Sequence, residues 1–336
     1  MVSEMHAAPR ASANPIGTKP LRNVLIHLCD SVLLWLDCSG CEAQRRSRCF
    51  ESRLLRAALP SMLPSQALPL MTDWNPELYN RFRRYRAEPV EHMLGRLPLG
   101  EDERILDLGC GPGDNTLELA RRSVHGVVHG IDLSPAMIES ATKLRAAQAP
   151  DVQRRLTFAV GDIAQLASDS VQTVIFSNAA LQWLRHHREV LAAWFGALAP
   201  GGRLAVQMPA NEHESGKVEL GALAREPAWC AALGGIDQSF RDVPPPEHYA
   251  RMLKEIGFVD VDCYYLTFRH PMERAADVAQ WYRSTGLRPF LDALPEARHE
   301  AFVAAYSARL ERAYGTSGAI TFAFRRLFIW GRRPQS

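Results

Sequence analysis

The sequence predicts an α/β fold, an open sheet of seven strands with helices on both faces. Three observations carry that prediction. Short apolar runs alternate with helical patterns through residues 105–208, and a strand-helix-strand order implies parallel strands with helices over both faces of the sheet. A glycine turn, Gly109, Gly111 and Gly113, joins the first run directly to its helix. Aspartates stand at or beside the ends of the first three runs: Asp107, Asp132 and Asp162.

The first strand, 105–108, is apolar apart from Asp107, and the helical pattern Thr116, Leu117, Leu119, Ala120 begins at once after the turn. Strand, glycine turn and helix N-terminus together make a nucleotide pocket, because glycine admits a ligand close to the backbone and leaves N–H groups free. A dinucleotide fingerprint, G-x-G-x-x-G, requires glycine at position 114, where Asp114 stands. Asp107 also lies two places before the first glycine; its carboxylate repels a pyrophosphate and attracts an ammonium. The pattern D-x-G-x-G-x-G therefore favours S-adenosylmethionine, with its amino-acid end and sulfonium, over NAD. Asp107, Gly109, Cys110, Gly111 and Gly113 form the first part of that cofactor site. The Cys110 side chain itself reads as a small packing group rather than a nucleophile.

The second strand, 127–131, ends in Asp132, about 20 residues past the glycines, where an acid accepts both ribose hydroxyls. Ser134 reads as a helix N-cap with Pro135 behind it, and Leu133 and Met137 join the cofactor set. The third strand, 156–160, ends in Gly161-Asp162-Ile163. Asp162 is placed to accept from an adenine amino group and Ile163 to cover the ring, although Gly-Asp is also plain turn chemistry. The fourth strand, 174–177, runs into Asn178-Ala179-Ala180-Leu181-Gln182-Trp183. Active sites of open parallel sheets lie just beyond such carboxyl ends. Asn178 is assigned to the cofactor and Gln182 and Trp183 to the substrate, Trp183 with equal standing as a packing residue.

A helix opens at His186-His187-Arg188 and runs to Leu198; the two histidines read as helix-surface residues rather than a catalytic pair. Pro200-Gly201-Gly202 breaks it before a fifth strand at 203–208. A helix at 248–256 precedes a sixth strand at 257–265, and 322–330 is the seventh, apolar except for Arg325 and Arg326. Two insertions interrupt the scheme, at about 211–247 and 271–318. The second carries Val278, Trp281 and Tyr282, then Phe302, Ala305, Tyr306 and Leu310, at helical steps. Such helices either build a lid over the carboxyl edge of the sheet or cover it as extra core.

Of the 336 residues 47% are apolar, ordinary for a globular core, and the net charge of +2 gives no field that argues for nucleic acid or a membrane. Residues 1–70 differ from the rest. They hold eight Lys/Arg against five Asp/Glu and four of the seven cysteines: Cys29, Cys38, Cys41 and Cys49. Their apolar run at 24–36 is too short to span a bilayer. The four cysteines could form a zinc site, but their spacing is irregular for one. The favoured reading of 1–70 is a disordered arm or an upstream extension of the reading frame, with no bound metal. Scattered cysteines elsewhere suit a reducing cytoplasm.

The strand order, the G-x-G-x-G turn and the acidic strand ends resemble the class I S-adenosylmethionine-dependent methyltransferases over roughly residues 90–335. More closely, Asp73-Trp74-Asn75-Pro76-Glu77-Leu78-Tyr79, Asn178-Ala179-Ala180-Leu181-Gln182-Trp183-Leu184, Ala205-Val206-Gln207-Met208-Pro209, Thr285-Gly286-Leu287-Arg288-Pro289-Phe290-Leu291 and Phe324-Arg325-Arg326-Leu327-Phe328-Ile329 look like the trans-aconitate 2-methyltransferase family. The resemblance implies a single domain over 71–336 with a Rossmann-like sheet whose last strand is antiparallel. It implies a cytoplasmic enzyme that methylates one carboxylate of trans-aconitate, giving the monomethyl ester and S-adenosylhomocysteine. The partner is then a small polycarboxylate, with no nucleic acid and no membrane, and a monomer would suffice. A carboxylate is already nucleophilic at neutral pH, so no general base is assigned. A polycarboxylate demands fixed cations, and arginine binds carboxylate oxygens in pairs. The candidates are Arg288, Arg325 and Arg86, with Tyr79 beside them; Arg326 and Arg83 are the alternates, since alternation turns only one of Arg325 and Arg326 inward. Another acidic or a quinone-like metabolite is the runner-up substrate, and a quinone would need few fixed arginines.

Overall fold

In chain order the elements are α1 (Arg83–Arg96), β1 (Arg104–Leu108), α2 (Asp114–Arg122), β2 (Val127–Asp132), α3 (Pro135–Ala146), α4 (Pro150–Arg155), β3 (Leu156–Val160), β4 (Gln172–Asn178), α5 (His187–Ala197) and β5 (Leu198–Pro209). There follow α6 (Ser215–Ala224), α7 (Cys230–Leu233), α8 (Pro246–Ile256), β6 (Val259–Met272), α9 (Ala276–Arg283), α10 (Arg288–Asp292), α11 (His299–Tyr314) and β7 (Ile320–Arg332). The structure, a computed structural model, describes residues 82–166, 171–236, 243–283 and 285–335. The segment 1–70, with Cys29, Cys38, Cys41 and Cys49, and the stretch 73–79 that includes Tyr79 lie outside the described residues.

The seven strands form one sheet in the order β3-β2-β1-β4-β5-β7-β6. The first five pair in parallel, and β7 lies antiparallel between β5 and β6. Both faces are covered, so both faces of the central strands are apolar. Ile105, Val174, Phe176, Ala205 and Phe328 pack with α1 and α2 on one face. Leu106, Leu108, Ile175, Leu204, Val206, Leu327 and Ile329 pack with α5 and α8 on the other.

Two strands differ from the sequence expectation. Pro200-Gly201-Gly202 does not precede β5 but lies inside it, as a bulge: register with β4 jumps from Gln172↔Leu198 to Val174↔Arg203, and Gly201 takes φ +76°. A bulge accommodates the proline that a regular ladder would reject. β6 runs on to Met272 rather than stopping at 265, because its second half pairs with β7 from Leu266↔Arg326 to Met272↔Ile320. β6 is the edge strand, where Pro271 is tolerated. His187 also departs from expectation. It is part-buried, bonded to the Tyr249 hydroxyl at 2.7 Å and the Leu184 carbonyl at 3.2 Å, and so ties α5 to α8 rather than facing solvent.

The long β6–β7 ribbon overshoots the carboxyl edge of β5. On it sit α6, α9 and α11, which share a separate core of Leu220, Leu223, Trp281, Phe302, Tyr306, Leu310, Phe322 and Phe324. The insertions thus form a helical layer with its own interior. Fully burying each such side chain is worth roughly 1.5–3 kcal/mol, which stabilises the layer without help from the sheet centre.

Candidate methyl-donor and acid-binding site

The glycine turn is held by β2. The N–H groups of Gly109 and Cys110 both donate to the Ile131 carbonyl, at 2.8 and 3.0 Å. Gly111 N–H donates to Asp132 Oδ2 at 2.9 Å, while Asp132 Oδ1 accepts from Ser134 N–H at 2.9 Å. Asp132 therefore clasps the turn to the start of α3 and keeps further acceptor lone pairs for a ligand. Ser134 caps α3 by accepting from Met137 N–H at 3.4 Å, with Pro135 at the first helical position.

The three glycines serve different ends. Each has positive φ: 77°, 55° and 91° at Gly109, Gly111 and Gly113. A Cβ on Gly109 would stand 2.2 Å from the Ala180 methyl, and one on Gly113 would stand 2.8 Å from the Phe158 ring. Those two permit close packing. A Cβ on Gly111 would meet nothing within 4 Å, so Gly111 is the open side of the turn.

Asp107 is 1% exposed and faces α2, where Thr116 Oγ1 donates to its Oδ2 at 2.7 Å. Burial, and secondarily the nearby Asp132 carboxylate, push its carboxyl up to about 7. A carboxyl so placed gains from any cation brought beside it. The Cys110 thiol is buried, and burial pushes it well above the usual thiol range, so it stays protonated and is no nucleophile. Asp162 accepts from Ala164 N–H at 2.9 Å and from Gln165 Nε2 at 3.0 Å, which pins the loop after β3. Ile163 is buried and its carbonyl accepts from Trp194 Nε1 at 2.8 Å, whereas Leu133 is 52% exposed, an apolar surface next to Asp132.

At the end of β4 the backbone turns sharply. Ala179 adopts φ +56°, an uncommon conformation for a residue with a Cβ, and its N–H donates to the Gln207 carbonyl at 2.8 Å. The turn seats Ala180 on Gly109. It leaves Asn178 Oδ1 and Gln182 Oε1 buried with no hydrogen-bond partner among the described residues. Gln182 Nε2 donates to the Ala179 carbonyl at 2.6 Å, and Trp183 is half-buried in a short 3₁₀ turn, Leu181–Trp183.

Strand alternation aligns further polar groups on the α1 face. Phe176, Ala205, Phe328 and Leu266 pack there, so Asn178, Gln207, Arg326 and His270 share that face with Asp107. They form a diagonal across β1, β4, β5, β7 and β6. Arg326 is 6% exposed; its Nη1 donates to Gln207 Oε1 at 3.4 Å and its guanidinium lies over the Phe324 ring. Arg325 points to the opposite face, over the Tyr265 ring at 4.2 Å, with Nε donating to the Ala210 carbonyl at 2.7 Å and Nη2 to Glu212 at 3.3 Å. Of the two, the structure seats Arg326 beside Gln207, on the face that also carries Asn178, and it commits Arg325 to the chain after β5. Arg86 lies over the Trp281 ring and donates to the Trp281 carbonyl at 3.2 Å. Arg83 pairs with Asp114 at 2.9 Å on the surface, and Arg288 is buried at the start of α10 in the helical layer.

Residues 105–202 match the family model for a methyltransferase domain. Over 262 residues the chain is 40% identical to trans-aconitate 2-methyltransferase of Variovorax paradoxus, covering 77% of this chain and 98% of that protein. The chain belongs to the trans-aconitate 2-methyltransferase family. Further members are that of Delftia acidovorans, 37% identical over 276 residues, and that of Methylobacterium radiotolerans, 39% identical over 273; each comparison covers 78% of this chain and 99% of the relative. In this member of the family the sequence alone did not place Gln207 or His270 on the sheet face that carries Asp107, nor decide between Arg325 and Arg326 for that face. The available signal was a lone Gln within the apolar run 203–208.

Proposed function

We propose that the chain transfers a methyl group from S-adenosylmethionine to one carboxylate of trans-aconitate, giving the monomethyl ester and S-adenosylhomocysteine. The observation that carries this reading is Arg326, a buried guanidinium beside Gln207 on the same sheet face as Asp107 and the glycine turn. A guanidinium binds carboxylate oxygens in pairs, which suits a polycarboxylate better than a quinone-like substrate.

The residues fit the methyl donor. Gly111 has open space where a side chain would stand, Leu133 offers an exposed apolar surface, and Asn178 Oδ1 is a buried acceptor with no partner among the described residues. When bound, S-adenosylmethionine supplies a methyl carbon made electrophilic by its sulfonium. Asp107 and Asn178 receive its amino-acid end, Asp132 the ribose hydroxyls, and Leu133, Met137, Asp162 and Ile163 the adenine. Gly109, Gly113 and Cys110 shape the turn. Arg326, with Gln207, Gln182 and Trp183, orients the acid; Arg86 and Arg288 add positive charge from α1 and the helical layer. No proton needs removal from a carboxylate at neutral pH, so these residues act by holding oxygen and methyl carbon in line and by excluding water. The helical layer on the β6–β7 ribbon serves as the lid.

A cytoplasmic location belongs to the same proposal; no described helix is long and apolar enough to cross a membrane. The test incubates the protein with methyl-labelled donor and trans-aconitate, cis-aconitate, citrate or isopropylmalate, and looks for a monomethyl ester by mass spectrometry. A trans-aconitate ester is expected. A folded, donor-binding protein that esterifies none of the acids refutes the proposal.

A further inference from the structure

His270 ends the polar diagonal and has no part in the chemistry above. It is 0% exposed, and neither ring nitrogen has a hydrogen-bond partner among the described residues. Its surroundings are aromatic. Tyr85 from α1 lies 4.7 Å away between ring centroids, Trp281 from α9 stacks at 5.4 Å, Phe268 from β6 stacks at 6.3 Å, and Phe322 from β7 is tilted at 6.4 Å. Glu88 on α1 is 3.7 Å from Nδ1, too far for a hydrogen bond. A fully buried histidine left without partners costs free energy and calls for a ligand to explain it.

The charges around it favour an anion. Burial and the Arg326 guanidinium push His270 down to about 4, so in the free protein it is neutral and still offers one N–H. Arg86 lies over the Trp281 ring that stacks on His270. The facing groups are thus Arg326 on β7, Tyr85, Arg86 and Glu88 on α1, and Trp281 on α9. Glu88 is itself pushed upward, by burial first, which weakens its claim on the imidazole. Along β6, His270 lies four positions past Leu266, the partner of Arg326, or about 13 Å at the usual strand rise. The length of the Arg326 side chain spans part of that gap.

We infer that His270 donates to the outermost carboxylate of the acid substrate, the one farthest from the glycine turn, and so selects extended polycarboxylates over shorter acids. The inference rests on the proposed reading of the site as acid-binding. Arg326 then holds the inner part of the acid, and His270 reads its length.

The test compares the full-length protein with His270→Phe, which keeps an aromatic ring in the stack, and His270→Gln, which restores a donor. Calorimetry measures trans-aconitate binding in the presence of S-adenosylhomocysteine, and kinetics compare trans-aconitate with the shorter dicarboxylates itaconate and mesaconate, each of which lacks one terminal carboxylate. Loss of a buried hydrogen bond to a charged group predicts a rise of about tenfold or more in both Kd and KM for trans-aconitate in His270→Phe. The dicarboxylates should change less than about twofold, the KM for S-adenosylmethionine should stay the same, and His270→Gln should recover part of the loss. Unchanged trans-aconitate binding, or an equal loss for all three acids, overturns the inference. Should His270→Phe melt early, the same comparison is read from His270→Leu, which also lacks a donor, and selectivity equal to wild type there overturns it. If wild type forms no ester yet binds trans-aconitate, the proposed reaction fails while calorimetry still decides on His270. If wild type binds no polycarboxylate, both fail.

Discussion

Asp107 sets stability against ligand binding, and the consequence can be measured. Its carboxyl stands at about 7, against an ordinary 3.8, chiefly because it is buried. The folded protein holds this proton more tightly than the unfolded chain does. The stability it lends is therefore full below pH 3.8 and is withdrawn as pH climbs to about 7. That withdrawal amounts to about 4 kcal/mol over the whole range, of which about 2–3 kcal/mol falls between pH 5 and 8. Asp107→Asn keeps the shape and an acceptor for Thr116 but never ionises. Without ligand, the melting temperature of the variant should gain on wild type by about 5–10 °C as pH goes from 5 to 8. Ligand binding should run the other way. The ammonium of S-adenosylmethionine or S-adenosylhomocysteine is drawn to the ionised carboxylate, so wild-type affinity should strengthen as pH passes 7, while the variant binds weakly with a flat profile. Thermal melts and calorimetry at several pH values provide the check. Parallel melting curves for the two proteins from pH 5 to 8 would show that Asp107 is not titrating in the buried state, and the electrostatic argument would fall.

Three further outcomes follow from the same geometry. Gly109→Ala and Gly111→Ala should separate: the first drives a methyl into Ala180 and lowers the melting temperature sharply, while the second costs only about 1–2 kcal/mol of backbone strain yet abolishes donor binding, as melts and donor titrations would register. Arg326→Gln should raise the KM for the acid by an order of magnitude or more, whereas Arg325→Gln should leave that KM in place and show in a lower melting temperature; the reverse result would put the acid on the other face of the sheet. His270 is depressed in the folded protein, so the stability linked to it is present above pH 6.5 and lost as pH falls towards 4; His270→Phe should remove that part of acid destabilisation in melts between pH 4 and 7.

Much of the fold was legible because parallel strands buried on both faces read as apolar runs, and Gly, Asp or Asn marks their ends. β1, β2 and β3 came out within a residue, and Ser134-Pro135 announced α3 through capping chemistry alone. β6 was cut short because Thr267, Arg269, His270 and Pro271 look like a loop; only pairing with β7, which no local pattern encodes, makes them a strand. The same two-sided burial that made strands easy to find hid the direction of Arg325 and Arg326. Phe324 and Phe328 are apolar on one face and Leu327 and Ile329 on the other, so alternation had no reference side. His270 gave no motif at all; it becomes notable only once its neighbours prove to be rings without a hydrogen-bond partner for it.

The position of β7 shapes how the chain must assemble. This strand comes after every other element described, yet it is interior to the sheet, and β6 touches the sheet only through it. While the ribosome is still making residues before 320, β1 to β5 can form a parallel raft with an open margin at β5, and the helical layer has no ribbon to rest on. Contacts between β5 and β7 close a loop of about a hundred residues, a slow step for a nascent chain. A chaperone that shields the β5 margin would therefore matter most until residues 320–332 have emerged.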